Sequence, residues 1–323
     1  MRSILVALAL LALGVIAEAQ QANKFARIGF LATVSPAALA SRIDAFRRGL
    51  RELGYVEGKN IVVEWRFAES RADRLPGLAA ELVRLKVDVI VTAAPPPTRA
   101  AKQATATIPV VMAFDDDPVG SGFVDSLARP GGNITGLSTQ APDIGGKQLE
   151  LLKEILPKLS RVAVLGTSTV PGYAQMVKEI ELAAKALGVS VLHVDVQSSK
   201  DIDTAFQTVN KGRASAAIVI GSPVIRSRQR DVVDLALKTK LPTTYIRPEF
   251  VEDGGLMTYG PNINDLFRRA ATYVDKILKG RTPAELPVEQ PMKFEFVINL
   301  RTAKQIGLEI PQWTLMKADR VIK

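Results

Sequence analysis

Three aspartates in a row, Asp115, Asp116 and Asp117, follow an apolar run over 109–114. Carboxylates at the end of a buried strand hold an ammonium group or ligand hydroxyls, cap a helix, or bind a hard cation. Asp117 precedes Pro118, the pairing of an N-cap with proline at the first helical position, so a helix start is expected there. Asp115 and Asp116 are left over for a ligand. No fourth group completes a metal set, and no metal site is expected. Arg247 ends a later apolar run; its partner is either a ligand carboxylate or Glu249. Short hydroxyl residues follow four other apolar runs: Thr33 and Ser35, Thr92 (with Ala93) and Thr98, Thr167 and Ser168 with Thr169, and Ser222 before Pro223. Singly, each reads as a helix cap. Together they read as helix starts and free backbone N–H groups gathered on a carboxylate or phosphate.

Other chemistries are excluded by what is missing. The chain has no cysteine, which removes disulfides, thiolate metal sites and a thiol nucleophile. Its single histidine, His193, lies on the same strand face as Asp195 and reads as a surface feature. One histidine makes a multi-histidine metal site impossible and a Ser-His-Asp triad improbable. Neither GxxxxGK[ST] nor GxGxxG occurs, so no nucleotide cofactor is expected. No nucleophile, base and oxyanion hole assemble, and the expectation is a binding protein, not an enzyme. The net charge is +9, but the basic residues are scattered over polar helix faces, and Arg226, Arg228 and Arg230 read as solvated. No basic stripe with interleaved aromatics suggests nucleic acid.

The elements that position these residues alternate between two periods. Runs at 27–31, 61–65, 87–91 and 109–114 are rich in β-branched residues and read as strands of a covered parallel sheet. Ile43, Phe46, Leu50 and Leu53 fall on one helical face, with Gly54 set to end it. Residues 93–97 read as a proline-rich loop before a short helix. A second series then repeats the first. ARIGFLATVSP corresponds to SRVAVLGTSTVP; Ile28 matches Val162 and Gly54 matches Gly188, both 134 apart, and Pro109 matches Pro242, 133 apart. A near-constant offset over about 100 residues indicates two copies of one βαβαβ plan. Ligands of open parallel sheets sit beyond the carboxyl ends of the strands, where the polar residues above are found. The expectation is two α/β lobes: 24–137 with 254–290, and 138–250 with 293–323. Three crossings would join them, near Leu137, Phe250 and Gln290, with a ligand cleft between the two strand-end edges.

The N-terminus has Arg2, an apolar run over 4–16, then Ala17-Glu18-Ala19. That is the pattern of a signal peptide over 1–19 cleaved after Ala19, too short for a membrane span. The mature chain is expected to be periplasmic.

Longer motifs carry a family resemblance. RIGFLAT, FRRGLRELGYVEGKNIVVEWRFAES, DPVGSGFVDSLARPGGNITGLS, EFVEDGGLMTYGPN and KFEFVINLRTAKQIGLEIP are similar to the ABC-transporter substrate-binding protein family that includes tryptophan/tyrosine-type uptake proteins. The likeness spans nearly all of the mature chain. It implies a type I periplasmic-binding-protein fold, without catalysis, that delivers a small ligand to a membrane permease. The carboxylates together with Arg247 suit a small polar ligand, an amino acid or related organic acid, and a monomer is expected. The resemblance places ligand loops at Thr33 and Ser35, at Thr92 and Ala93, at the three aspartates, at Thr167 and Ser168, at Ser222 and Pro223, and at Arg247. Two loops depart from the family pattern: Ala93-Ala94-Pro95-Pro96-Pro97 replaces small or glycine residues, and the acidic triplet replaces a less charged stretch. A sensing subunit for a membrane receptor is the alternative reading. A sugar-regulator-type repressor would need a DNA-binding head where the export signal stands.

Overall fold

The structure, a computed structural model, describes residues 25–140, 144–170 and 172–323. The expected signal peptide lies outside them. The chain alternates strands and helices throughout. In order these are β1 (Ala26–Ala32), α1 (Ala40–Glu52), β2 (Ile61–Phe67), α2 (Leu75–Arg84), β3 (Val89–Ala93), α3 (Pro95–Ala104), β4 (Val110–Asp115) and β5 (Ile134–Ser138). There follow α4 (Ile144–Ile155), β6 (Arg161–Gly166), α5 (Tyr173–Leu187), β7 (Ser190–Asp195), α6 (Asp201–Lys211), β8 (Ala216–Val219), α7 (Pro223–Ser227), α8 (Gln229–Lys238), β9 (Thr243–Tyr245) and α9 (Pro248–Glu252). The last group is β10 (Met257–Pro261), α10 (Ile263–Leu278), β11 (Phe294–Asn299), α11 (Leu300–Ile306), α12 (Gln312–Leu315) and β12 (Arg320–Ile322).

Two sheets form. The first has the order β2-β1-β3-β4-β5, with β1 parallel to β2 and to β3. The second has the order β12-β11-β10-β9-β8-β6-β7, parallel except where β10 meets β11. By contacts the chain divides into two compact units. Among the described residues, unit 1 holds 25–113, 129–136 and 267–287; unit 2 holds 114–128, 137–266 and 288–323.

This division corrects the expected boundaries. Residues 254–266 do not return to the first lobe: β10 joins the second sheet, with Met257 and Thr258 in register with Thr244 and Tyr245. Gly260 allows it, because a Cβ there would lie 2.0 Å from the Ile246 carbonyl oxygen. The passage expected near Phe250 falls between residues 266 and 267, inside α10. Residues 114–128, assigned to the first lobe from sequence, group with unit 2.

Each unit has its own core. In unit 1, Phe30 is fully buried, with ring centroids 4.8 Å from Trp65, 5.9 Å from Phe46, 6.2 Å from Phe67 and 6.3 Å from Phe267. In unit 2 the two-residue strand period sends alternate residues to opposite faces of the sheet. Val162, Val164 and Ile218 pack with Leu149, Leu152 and Ile180 of α4 and α5, whereas Ala163, Leu165 and Val219 pack with Ile202, Phe206 and Val232 of α6 and α8. A sheet covered on both faces explains why its strands are continuous apolar runs.

Candidate functional site

The strongest constellation in unit 2 is built on the ends of β4, β8 and β9. The Asp115 side chain is buried, and its Oδ1 accepts the backbone N–H of Asp117 at 2.9 Å. The Thr139 N–H donates to the Asp115 carbonyl at 2.8 Å. These bonds hold Asp115 as the corner on which the next residue turns outward. Asp116 is that residue. Arg247 Nη2 donates to Asp116 Oδ1 at 2.8 Å, Arg226 Nη2 stands 3.7 Å from Oδ2, and Thr139 Oγ1 donates to Oδ1 at 3.0 Å. Burial by itself pushes the Asp116 carboxyl up. The charges of Arg247 and Arg226, with the hydrogen bonds from Thr139 and Arg247, outweigh it and hold the carboxyl below the ordinary range.

Arg247 is positioned by the end of β9. The Tyr245 carbonyl accepts Gln148 Nε2 at 3.0 Å and Thr258 Oγ1 at 2.7 Å, which fixes the chain two residues earlier. Arg247 is then the extended N-cap residue of α9, with Pro248 at the first helical position. Its guanidinium lies over the Phe114 ring, 5.2 Å from the centroid, and its side chain is only 13% exposed. In the structure Arg247 pairs with Asp116, a partner not named from the sequence. Arg226 was expected to be solvated, and instead it sits in this cluster; Arg228 and Arg230 pair with Asp231 and Asp253. Partial burial and the like charge of Arg247 lower the Arg226 guanidinium, against the pull of Asp116 and Glu249. Its place in the first turn after β8, at the carboxyl edge of the sheet, is the signal that would have found it.

Asp117 caps a turn, not the expected helix. Its Oδ1 accepts the Gly120 N–H and Gln140 Nε2, each at 2.9 Å. The Ser121 N–H reaches the Asp117 carbonyl, and the chain turns away at Gly122, whose φ is +68°. Two glycines within five residues of the cap stop the helix from propagating.

The hydroxyl residues of unit 2 serve local structure. Thr167 Oγ1 donates to the Val196 carbonyl at 2.7 Å and lies 2.9 Å from Ser222 Oγ. Ser222 caps α7 by accepting the Ile225 N–H, and Pro223 is the first residue of that helix. Ser168 binds Asp195 through both its N–H and its hydroxyl, at 2.9 Å each. Asp195 is held low by Gln197 and by Ser168. His193 pairs with Glu181 of α5 at 2.9 Å instead of Asp195.

In unit 1, Thr92 and Thr98 are buried and bond each other at 2.8 Å, with Thr98 Oγ1 also reaching the Ala94 carbonyl. Ala93, the last residue of β3, is buried. Residues 95–97 are not a loop. Pro95, Pro96 and Pro97 form the first turn of α3, where proline fits because the backbone N–H groups need no partner. Ala94 takes φ +89° to enter that turn. The consequence is chemical: a helix start ordinarily presents several free N–H donors, and here three consecutive donors are missing. Ser35 Oγ accepts the Ala38 N–H at 3.4 Å. Thr33 differs from the rest. Its Oγ1 is enclosed and makes no hydrogen bond among the described residues. No group of three or more carboxylate or histidine side chains among those residues is arranged to hold a metal.

Two α/β units, each a mainly parallel sheet flanked by helices with its polar residues at strand ends, make a type I periplasmic-binding-protein fold. The chain belongs to the ABC transporter substrate binding protein family, whose model matches residues 27–322. Similar to it is a tyrosine-binding protein of Clostridioides difficile (strain R20291), 26% identical over 287 residues, 89% of this chain and 82% of that one. Among solved structures, an ABC domain from Streptococcus pneumoniae in complex with L-Trp is 29% identical with a TM-score of 0.77, covering 92% of this chain and 99% of its own. A conserved domain protein from Vibrio cholerae O1 biovar El Tor is 28% identical, again with a TM-score of 0.77, over 92% of this chain and 100% of that chain.

Proposed function

We propose that this chain is the exported receptor of an ATP-driven importer, and that its solute is an amino acid or related organic acid whose carboxylate is held by Arg247 and Arg226. The observation that carries the solute class is the pair of guanidinium groups on one carboxylate, at the carboxyl edge of the second sheet. Arginine matches a carboxylate with parallel N–H donors and keeps its charge at all relevant pH. Because the relatives named above are a tyrosine-binding protein and an L-Trp complex, aromatic amino acids are the first solutes to test.

Export rests on the sequence pattern over 1–19, with cleavage after Ala19 and a periplasmic mature monomer that meets its permease partner at the membrane. No helix among the described residues is long and apolar enough to cross a membrane. The test is a thermal-shift screen of the mature chain against the proteinogenic amino acids, their decarboxylated amines and small organic acids. A solute at ~100 times its Kd stabilises by ~2.7 kcal/mol, easily read as a rise in Tm. The expected hits are carboxylates, with tyrosine or tryptophan among them and their amines inactive. A screen in which only uncharged solutes raise Tm refutes the assignment.

A further inference from the structure

We propose that Asp116 is a resident counter-ion: it occupies the two guanidinium groups while no solute is bound, and the carboxylate of the solute displaces it. The inference rests on the solute-binding reading above and adds how that site is kept and opened.

The geometry separates a fixed part from an exchangeable part. Arg247 is the fixed part: its side chain is 13% exposed, it lies over Phe114, and its backbone is set by β9 and Pro248. Asp116 is 44% exposed and is the outermost residue of the corner anchored by Asp115. Arg226 is under-served. Its only ion-pair contact is 3.7 Å from Asp116 Oδ2, and no hydrogen bond from its guanidinium is found among the described residues. A guanidinium has five N–H donors, so a second carboxylate geometry that satisfies both arginines is open to this pair.

The charges explain why a resident is needed. Two arginines converging on one point repel each other unless an anion lies between them. Asp116 supplies that anion with one good bond and one long one, so a carboxylate free to adjust its position gains contacts that Asp116 lacks. On exchange, Asp116 turns to solvent carrying its charge. A zwitterionic solute then has use for both partners, its carboxylate on the arginines and its ammonium beside the displaced Asp116. This favours α-amino acids over simple acids and over amines.

The experiment uses acetate as the probe, with the mature native chain, Asp116→Asn, Thr139→Val and the Asp116→Asn/Arg226→Ala double variant. Melting is followed at constant ionic strength as acetate replaces chloride, and each protein is also titrated with L-tyrosine and L-tryptophan. Removing the resident is expected to tighten acetate binding by about tenfold or more, the scale of one charge-assisted hydrogen bond. Thr139→Val, which keeps Asp116 and both arginines but removes one bond to the resident, gives a smaller gain in the same direction. The double variant loses the gain. Equal acetate response in native, Asp116→Asn and Thr139→Val proteins overturns the proposal. The acetate arm is independent of the natural solute. If acetate binding tightens while native chain takes no amino acid, the counter-ion role stands and the solute reading falls. If native chain takes an amino acid and acetate binding is unchanged in both single variants, the solute reading stands and the counter-ion role falls.

Discussion

Asp116 shows how much a single side chain depends on its neighbours. Its carboxyl is held below the ordinary aspartate value of 3.8, so the folded protein keeps the charge to lower pH than the unfolded chain does. The stabilisation is therefore fully present above that value and is lost as pH falls through the lower folded-state value. Asp116→Asn is expected to lower Tm near neutral pH by an amount that shrinks as pH drops below about 3.8, read from melting curves across an acid series. Because the side chain is 44% exposed, the effect stays within ~1 kcal/mol. Thr33 makes the complementary case. Thr33→Val keeps the shape and removes an enclosed hydroxyl that has no partner. Tm of the chain should hold or rise, measured by thermal melting. A fall in Tm would contradict it.

At the scale of elements, close approach of helices decides what unit 1 tolerates. A Cβ on Gly49 of α1 would lie 2.2 Å from the Arg268 carbonyl oxygen of α10 and 2.9 Å from the Ala271 Cβ. Gly49→Ala is expected to cost ~1–3 kcal/mol through backbone displacement, visible as a lower denaturant midpoint. The segment just after α1 is tied to α10 by Tyr55, whose hydroxyl donates to Asp275 Oδ1 at 2.9 Å. Burial first, then the Asp275 bond and charge, push the Tyr55 phenol up to about 12. Its contribution is complete below the ordinary tyrosine value of 10 and is lost as pH rises through about 12. Tyr55→Phe should remove that alkaline component from a pH series of melting curves. An identical alkaline limb in the variant contradicts it.

Elements were also where sequence reasoning stopped short. The β-branched runs and the in-register glycines made strands and helices readable, because both reflect local periodicity. Pro95, Pro96 and Pro97 read as a loop because proline breaks helices, yet in the first turn the missing N–H is no loss. Asp117 was readable as a cap, but Gly120 and Gly122 decide whether a helix follows. β10 was misplaced because its neighbours depend on a partner strand far away in sequence and on the room left by Gly260. Arg226 was missed for a related reason. A charged residue in a short helix looks solvated until the carboxylate facing it, more than a hundred residues earlier, is known.

For the whole molecule, the duplicated βαβαβ plan gives each unit a core of its own and a row of strand ends where polar residues gather. Family membership and the arginine pair support one account: a receptor that recognises a solute by its carboxylate. The most direct test is calorimetric titration of the mature chain with L-tyrosine and L-tryptophan, each beside its carboxamide, in native and Arg247→Ala proteins. The account predicts saturable binding of one solute per native chain, with affinity lost by about tenfold or more in the carboxamide and in the variant. Carboxamides that bind as tightly as the acids, in a protein indifferent to Arg247→Ala, would contradict it.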